Sequence, residues 1–218
     1  MKKAAVWLRH FAALRLIHPS RYNFASPMSS PLASAIADLS SSDSVMRSAA
    51  ATEIYRRGRA PADRAVYVWW TNPEFAGLCG ANPVVTIGIA VKRATFERIR
   101  EANGLPRLAD VPPDQDAEEF ELHFPNDISL DVLTTRDPQG SGPIAKFLAK
   151  FGEGLQQVEF RCVDVDRATR ILKEQFAVQP IYPQTRAGAD NTRVNFFLLP
   201  SATTGKILIE LYQPTGDR

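Results

Sequence analysis

The sequence predicts an α+β fold: two βαβββ modules preceded by a small N-terminal helical hairpin. Three observations predict it. The chain repeats itself: Thr86-Ile-Gly-Ile-Ala-Val aligns with Gln157-Val-Glu-Phe-Arg-Cys, Arg93-Ala-Thr with Arg167-Ala-Thr, and Ile128-Ser-Leu-Asp-Val-Leu with Ile207-Leu-Ile-Glu-Leu-Tyr. Within each copy an alternating run comes first, then a run at helical spacing, then further alternating runs. Finally, 218 residues at 44% hydrophobic and 23% charged are enough chain, of ordinary globular composition, to bury a core.

Charge and cysteine content narrow the function classes. A net charge of +2 gives no reason to expect nucleic acid or an anionic membrane as partner, and no apolar run is long enough to span a bilayer. Cys79 and Cys162 lie far apart with no CxxC spacing, so neither a disulfide framework nor a zinc motif is expected, and a reducing, cytoplasmic setting is the default.

In chain order, residues 1–33 read as an extension outside the fold. Lys2, Lys3, Arg9, Arg15 and Arg21 occur without an acid, and Arg9 and Arg15 interrupt any secretory apolar core. The stretch is either a disordered extension upstream of a start at Met28 or an Arg-rich transit peptide, which would make the setting mitochondrial. Residues 34–80 form the helical region. Ser44 to Arg57, after a Ser-Ser-Asp cap, predicts a helix with Val45, Ala49 and Ile54 inward and Gly58 as its stop. Pro61 then opens a second helix carrying Trp69 and Trp70, and Asn72-Pro73 ends it. The pair resembles one HEAT-like hairpin, which cannot bury its own face and should pack on the main domain. Its two tryptophans are either that contact or an interaction patch.

Residues 84–214 form the main domain, with modules 84–136 and 155–213 joined by a linker 137–154. Val84 to Val91 alternates as a strand, Arg93 to Ala102 is a helix closed by Asn103-Gly104, and Leu105 to Pro113 is irregular or a strand. Strands follow at Glu119 to Phe124 and Ile128 to Thr135. The linker holds a short helix with Ile144, Phe147 and Leu148 on one face, ended by Gly152 and Gly154. The second module runs from a strand at Leu155 to Cys162, through a helix capped by Asp164 or Asp166, to strands near Val178 to Tyr182, Arg193 to Leu199 and Lys206 to Tyr212.

The linker carries a resemblance. Pro143-Ile-Ala-Lys-Phe-Leu, then Gly152-Glu-Gly-Leu, then a strand and Val163-Asp-Val-Asp is similar to the junction between the halves of the vicinal-oxygen-chelate (glyoxalase / bleomycin-resistance / dioxygenase) superfamily, nearest to its methylmalonyl-CoA epimerase-like branch. The resemblance implies a cup-shaped sheet with helices on its outer face. It also implies four metal-ligand positions, which fall on Thr86, Asp131, Gln157 and Glu210. The branch has histidines at the first and third, and this sequence departs from it at both; Gln156-Gln157 stands where the branch has two histidines.

Strand parity assigns the two faces. Val85, Ile87, Leu130, Val132, Val158, Phe160, Ile207 and Ile209 should face the helices, and Thr86, Asp131, Gln157, Glu159, Arg161, Glu210 and Tyr212 should line the cup. His123 shares parity with Glu119 and Glu121 and enters the cup or stands exposed. Cys162 should be a small core residue. Arg193 and the polar loop Pro183 to Thr192, with Arg186 and Gly188, either close over the cup to hold a carboxylate or phosphate or simply connect two strands. The resemblance implies Glu210 as acid/base and Asp131 as partner carboxylate, with a further carboxylate near Asp114-Gln115-Asp116.

Thr and Gln are weak ligands for borderline metals, so no tightly bound cofactor is expected; a hard divalent ion, Mg²⁺ or Mn²⁺, could sit loosely on the two acids. The functional expectation is a glyoxalase- or epimerase-like proton transfer on a small α-carbonyl or acyl-CoA-type carboxylate. The alternative is a metal-free protein that binds or sequesters a small ligand. A homodimer is expected from the open sheet edges.

Overall fold

The computed structural model describes residues 31–201 and 205–215, so the expectations for residues 1–30 lie outside the described residues. Its elements are α1 (Pro31–Asp38), α2 (Ser44–Val66), α3 (Pro73–Cys79), β1 (Val85–Ala90), α4 (Arg93–Ala102), β2 (Ala117–Phe124), β3 (Ile128–Thr135), α5 (Pro143–Phe151), β4 (Gly154–Arg161), α6 (Val165–Gln175), β5 (Arg186–Ala187), β6 (Arg193–Ser201) and β7 (Gly205–Gln213).

One seven-stranded sheet runs β2-β3-β1-β4-β7-β6-β5. At its centre β1 and β4 pair antiparallel. Outward from them, β1–β3 and β4–β7 are parallel, and β2–β3 and β6–β7 antiparallel. The pairing is symmetric about the β1–β4 seam, as two repeats of one module require. The strand expected after each module's helix is reduced. Residues 105–113 touch the sheet through Ala109 N–H to the Glu119 carbonyl, 2.9 Å. The Val178 to Tyr182 strand shrinks to a bridge between Pro180 and Phe197 and an Ile181 N–H to the Phe196 carbonyl, 2.7 Å. Pro106, Pro112, Pro113, Pro180 and Pro183 lack the donors that a ladder needs.

The helical region is built differently from a hairpin. A short helix, α1, opens it, starting at Pro31 inside the stretch expected to be an extension. Asp43 caps α2 by accepting from the Val45 N–H at 2.8 Å, but α2 runs unbroken through Gly58 and Pro61 to Val66. Gly58 keeps helical backbone and acts by its size: a Cβ there would lie 2.6 Å from Ile87 Cγ2. Its missing side chain lets α2 approach the sheet closely. The inward stripe is Ala50, Ala51, Ile54, Gly58 and Ala62, so Val45 and Ala49 face solvent.

α2 lies against β1, β3, β4, β6 and β7 and shares one core with the apolar parity of those strands. Trp69 is buried between Phe75 and Phe197, at 5.7 and 5.8 Å between ring centroids, and Trp70 meets Phe75 and Phe160. Both tryptophans therefore serve packing on the sheet. Asn103 ties α1 to α4 by donating to the Leu39 carbonyl at 3.0 Å. Cys79 and Cys162, distant in sequence, become buried neighbours whose thiols hydrogen-bond. That bond, then burial, pushes the Cys162 thiol up.

Candidate functional site

Pairing across the sheet fixes what the concave face carries. Residues opposite each other on neighbouring strands share a face. One row reads His123, Ser129, Thr86, Glu159, Glu210, Phe196, and a second reads Glu121, Asp131, Gly88, Gln157. Glu119 lies beside Leu133 on the same face, and Arg161 beside Tyr212. The expected cup set, Thr86, Asp131, Gln157, Glu159, Arg161, Glu210 and Tyr212, therefore shares one surface, and His123 joins it at an exposed position.

A bulge places Gln157. Gly88 pairs with Gln157 and Ile89 with Leu155, so Gln156 is an extra residue that resets the phase of β4. Leu155 thereby joins the outer core, which unbroken alternation would not have allowed. The Gln157 side chain lies over Gly88, where a Cβ would come 2.6 Å from its Cγ. From there its amide donates to Glu210 Oε2 at 2.9 Å and to Glu159 Oε1 at 3.0 Å.

Five carboxyls, Glu119, Glu121, Asp131, Glu159 and Glu210, face this volume. Asp131 and Glu210 are each 8% exposed. Burial first, and neighbouring carboxylates second, hold both well above the ordinary carboxylate range. Burial and repulsion from Glu119 and Glu121 push Glu159 up to about 8, against the hydrogen bond from Gln157; burial, Asp190 and Glu121 push Glu119 up to about 7. Burial also raises the Tyr212 phenol. Glu121 accepts from Thr86 Oγ1 at 3.4 Å and lies 3.5 Å from His123 Nε2, whose Nδ1 is 3.1 Å from Ser129 Oγ.

The end of the cup near Ala90 is closed and apolar. Ala90, Val111, Ala117, Leu133 and Ile144 form a second buried cluster, packed by Phe147 and Leu148 of α5 and by Ala189 of the loop after β5. That loop is latched to the first module. Arg107 forks onto Asp190, with Nη1–Oδ1 at 3.0 Å, Asp190 N–H donates to the Asp110 carbonyl at 3.0 Å, and Gln115 Nε2 donates to the Ala187 carbonyl at 3.0 Å. The loop thus covers one end of the cup, but its arginines are engaged. Arg186 pairs with Asp114 and stacks over Tyr182. Arg193 points to the outer face, where Asp166 of α6 holds it at 2.7 Å, so it stands apart from the cup. The Asp114-Gln115-Asp116 turn belongs to the same latch. A concavity of about 550 Å³ beside it is lined by Pro112, Asp114 and residues 182–187, and none of the five cup acids forms its wall.

No protein-family model matches the sequence. Among solved structures, the fold is similar to methylmalonyl-CoA epimerase from Mycobacterium tuberculosis, at 33% identity, covering 60% of this chain and 86% of that one, with a TM-score of 0.50. A variant of the Streptomyces coelicolor methylmalonyl-CoA epimerase, in complex with 2-nitronate-propionyl-CoA, is 26% identical over 62% of this chain and 99% of that one, also at 0.50. The chain belongs to the vicinal-oxygen-chelate superfamily. Among curated proteins, the uncharacterized protein YqjC of Bacillus subtilis (strain 168) is 36% identical over 76 residues, 35% of this chain. This chain spans about half the length of that relative, 52%.

As a vicinal-oxygen-chelate cup, the site departs from a metal centre. The four positions expected from the resemblance carry a hydroxyl turned to Glu121, an amide whose two N–H groups face Glu159 and Glu210, and two buried carboxyls. Among the described residues no three His, Cys, Asp or Glu side chains are arranged to hold a metal ion. Without imidazole or thiolate, and with N–H groups where lone pairs would be needed, this set does not fit a borderline transition metal. No described helix is long and apolar enough to cross a membrane.

The functional candidates that the sequence did not single out are Glu119 and Glu121, together with the packing role of Gly88. Their signal was present, since both acids share parity with His123. Judging their weight needed the curl of the sheet, which brings an edge strand to face Glu159 and Glu210.

Proposed function

We propose that the cup performs proton transfer at a carbon next to the carbonyl of a small molecule, with Glu210 as acid/base. One observation carries the reading. Asp131 and Glu210 occupy equivalent positions of the two modules, are both buried on the concave face, and are both held toward their protonated forms. A buried carboxyl whose proton affinity is raised is a candidate for general acid–base work. Glu210, once ionised and steadied by the Gln157 amide, takes the proton from carbon. Asp131 keeps a proton of its own and offers it as a hydrogen bond to the developing enolate oxygen, the role an apolar site gives a neutral carboxylic acid. The similar solved structures named for methylmalonyl-CoA epimerase support this reaction class for the fold; they do not name this chain's substrate.

Solvent-deuterium exchange tests the reading. In heavy water the protein should exchange the α-protons of small ketones or thioesters, and Glu210→Gln should slow that exchange by roughly 10²- to 10⁴-fold, the usual worth of a positioned acid/base. No exchange by the parent protein across both compound classes would end it. A second reading, binding without turnover, is favoured by Gln157, which ties Glu210 to Glu159 and leaves neither of its N–H groups for an enolate.

A further inference from the structure

The two walls of the cup differ. Glu121 pairs with Asp131 and Phe196 with Glu210, so Glu121 and Phe196 hold equivalent places in the two modules. By the same register Glu119 corresponds to Val194 and His123 to Leu198. β2 offers two acids and an imidazole where β6 offers three apolar side chains. Between the walls lie Asp131, Glu159 and Glu210.

The charges that act on Asp131, Glu159 and Glu210 are all carboxylates. Arg161 lies beside Tyr212, and Arg186 is engaged by Asp114. Asp131 supplies the second observation. It is more than nine-tenths buried, points into the cup from β3, and makes no hydrogen bond or ion pair among the described residues. A buried carboxyl without a partner is costly, and a donor brought by a ligand removes that cost.

We propose that the cup takes a small organic cation, its ammonium group at Asp131 and its cross-strand neighbour Glu121 and its apolar part against Phe196 and Leu198. This rests on the reading of the cup as the site and names its substrate class, an α-ammonium carbonyl compound in place of an anionic thioester. An ammonium group stabilises the ionised form of each acid that it meets, whereas an acyl-CoA carboxylate would add like charge to any of the five that is ionised, which disfavours it.

Phenacylamine, phenacyl alcohol and benzoylacetate share one aryl ketone frame and place a positive, neutral or negative group on the same carbon. Aminoacetone keeps the positive group and lacks the ring. Binding of each is measured by calorimetry and ligand-observed NMR, slightly below neutral pH where the amines are charged. Phenacylamine should bind at least about tenfold more tightly than the alcohol, and benzoylacetate most weakly. Asp131→Asn and, as a second and more exposed variant, Glu121→Gln should each cut that preference several-fold. Phe196→Ala should erase the advantage over aminoacetone and leave the charge preference. Equal or tighter binding of the alcohol or benzoylacetate, or binding by none of the compounds, overturns the proposal. Binding of phenacylamine without deuterium exchange would instead overturn the proton-transfer reading and leave this one standing.

Discussion

The outer strands β2 and β6 show how one module became two surfaces. On the outer face they are alike. Phe120 of β2 packs on Phe96 at 4.7 Å between ring centroids, and Phe197 of β6 packs on Trp69 at 5.8 Å. On the inner face they diverge, Glu119 and Glu121 against Val194 and Phe196. The outer parity answers to packing and stays mostly apolar in both copies, although the buried Asn195 of β6 stands where β2 has Phe120. The inner parity is free of that demand and records what each wall has to contact. A duplicated fold therefore separates its structural residues from its functional ones by comparison of the copies.

The largest effect should come from the positions that remain equivalent at the centre. Thr86 and Gln157 correspond in the two modules, as do Asp131 and Glu210. Thr86→His with Gln157→His places two imidazoles beside two carboxyls. If all four side chains share one volume, calorimetry should show Co²⁺ or Zn²⁺ affinity rising by several orders of magnitude, since each good ligand adds a few kcal/mol at roughly 1.4 kcal/mol per tenfold. A folded double variant that binds metal no better than the parent would break the equivalence of the modules.

Next in size is the shared outer face. Trp69→Ala removes a buried ring that touches both Phe75 and Phe197. Denaturant unfolding should show a loss of about 3–5 kcal/mol. Because α2 and the strands contribute to one core, both modules should lose stability in a single transition. Separate transitions for the helical region and the sheet would contradict that common core.

These residues also mark what the sequence could and could not disclose. Parity along β1, β3, β4 and β7 was legible because one face had to be apolar, and it located Asp131, Gln157 and Glu210 together. The phase of α2 was not legible. Gly58 and Pro61 read locally as a stop and a start, and only the approach of Ile87 reveals a glycine kept for its size. Arg193 read as a ligand for an anion because its partner Asp166 is distant in sequence and comes close only through tertiary packing. The weight of Glu119 and Glu121 was hidden for a similar reason: an edge strand's inner face ordinarily meets water, and here the sheet curls it toward other acids.

Exchanging the walls gives a smaller effect that bears directly on the comparison. Glu119→Val with Glu121→Phe gives β2 the residues that β6 carries at the same positions. The preference for phenacylamine over phenacyl alcohol should fall by about tenfold, roughly 1.4 kcal/mol, while far-UV circular dichroism stays unchanged. An unchanged preference would mean that the central acids alone set the charge selectivity and that the asymmetry of the walls is incidental.

A last effect concerns pH, and its sign comes from the raised carboxyls. Glu119 is held at about 7 and Glu159 at about 8, both from an ordinary value of 4.5. Between 4.5 and those values the native state binds more protons than the unfolded chain. The free energy of unfolding must therefore fall as pH rises through that window. Stability from these groups is fully present below pH 4.5 and is lost above about pH 8. Glu118, Asp166 and Asp190, whose arginine partners hold them below their ordinary values, act in the opposite sense and only at more acid pH. Thermal melts should show a Tm that declines from mildly acid to mildly alkaline pH. Glu119→Gln should flatten the decline, because it removes one titrating group and its repulsion of Asp131, Glu159 and Glu210. The mirror substitution Val194→Thr, on the wall without acids, should leave the slope as it is. A parent Tm that rises through this window would mean that the five acids are not crowded in the folded protein, and the contrast between the walls would lose its electrostatic basis.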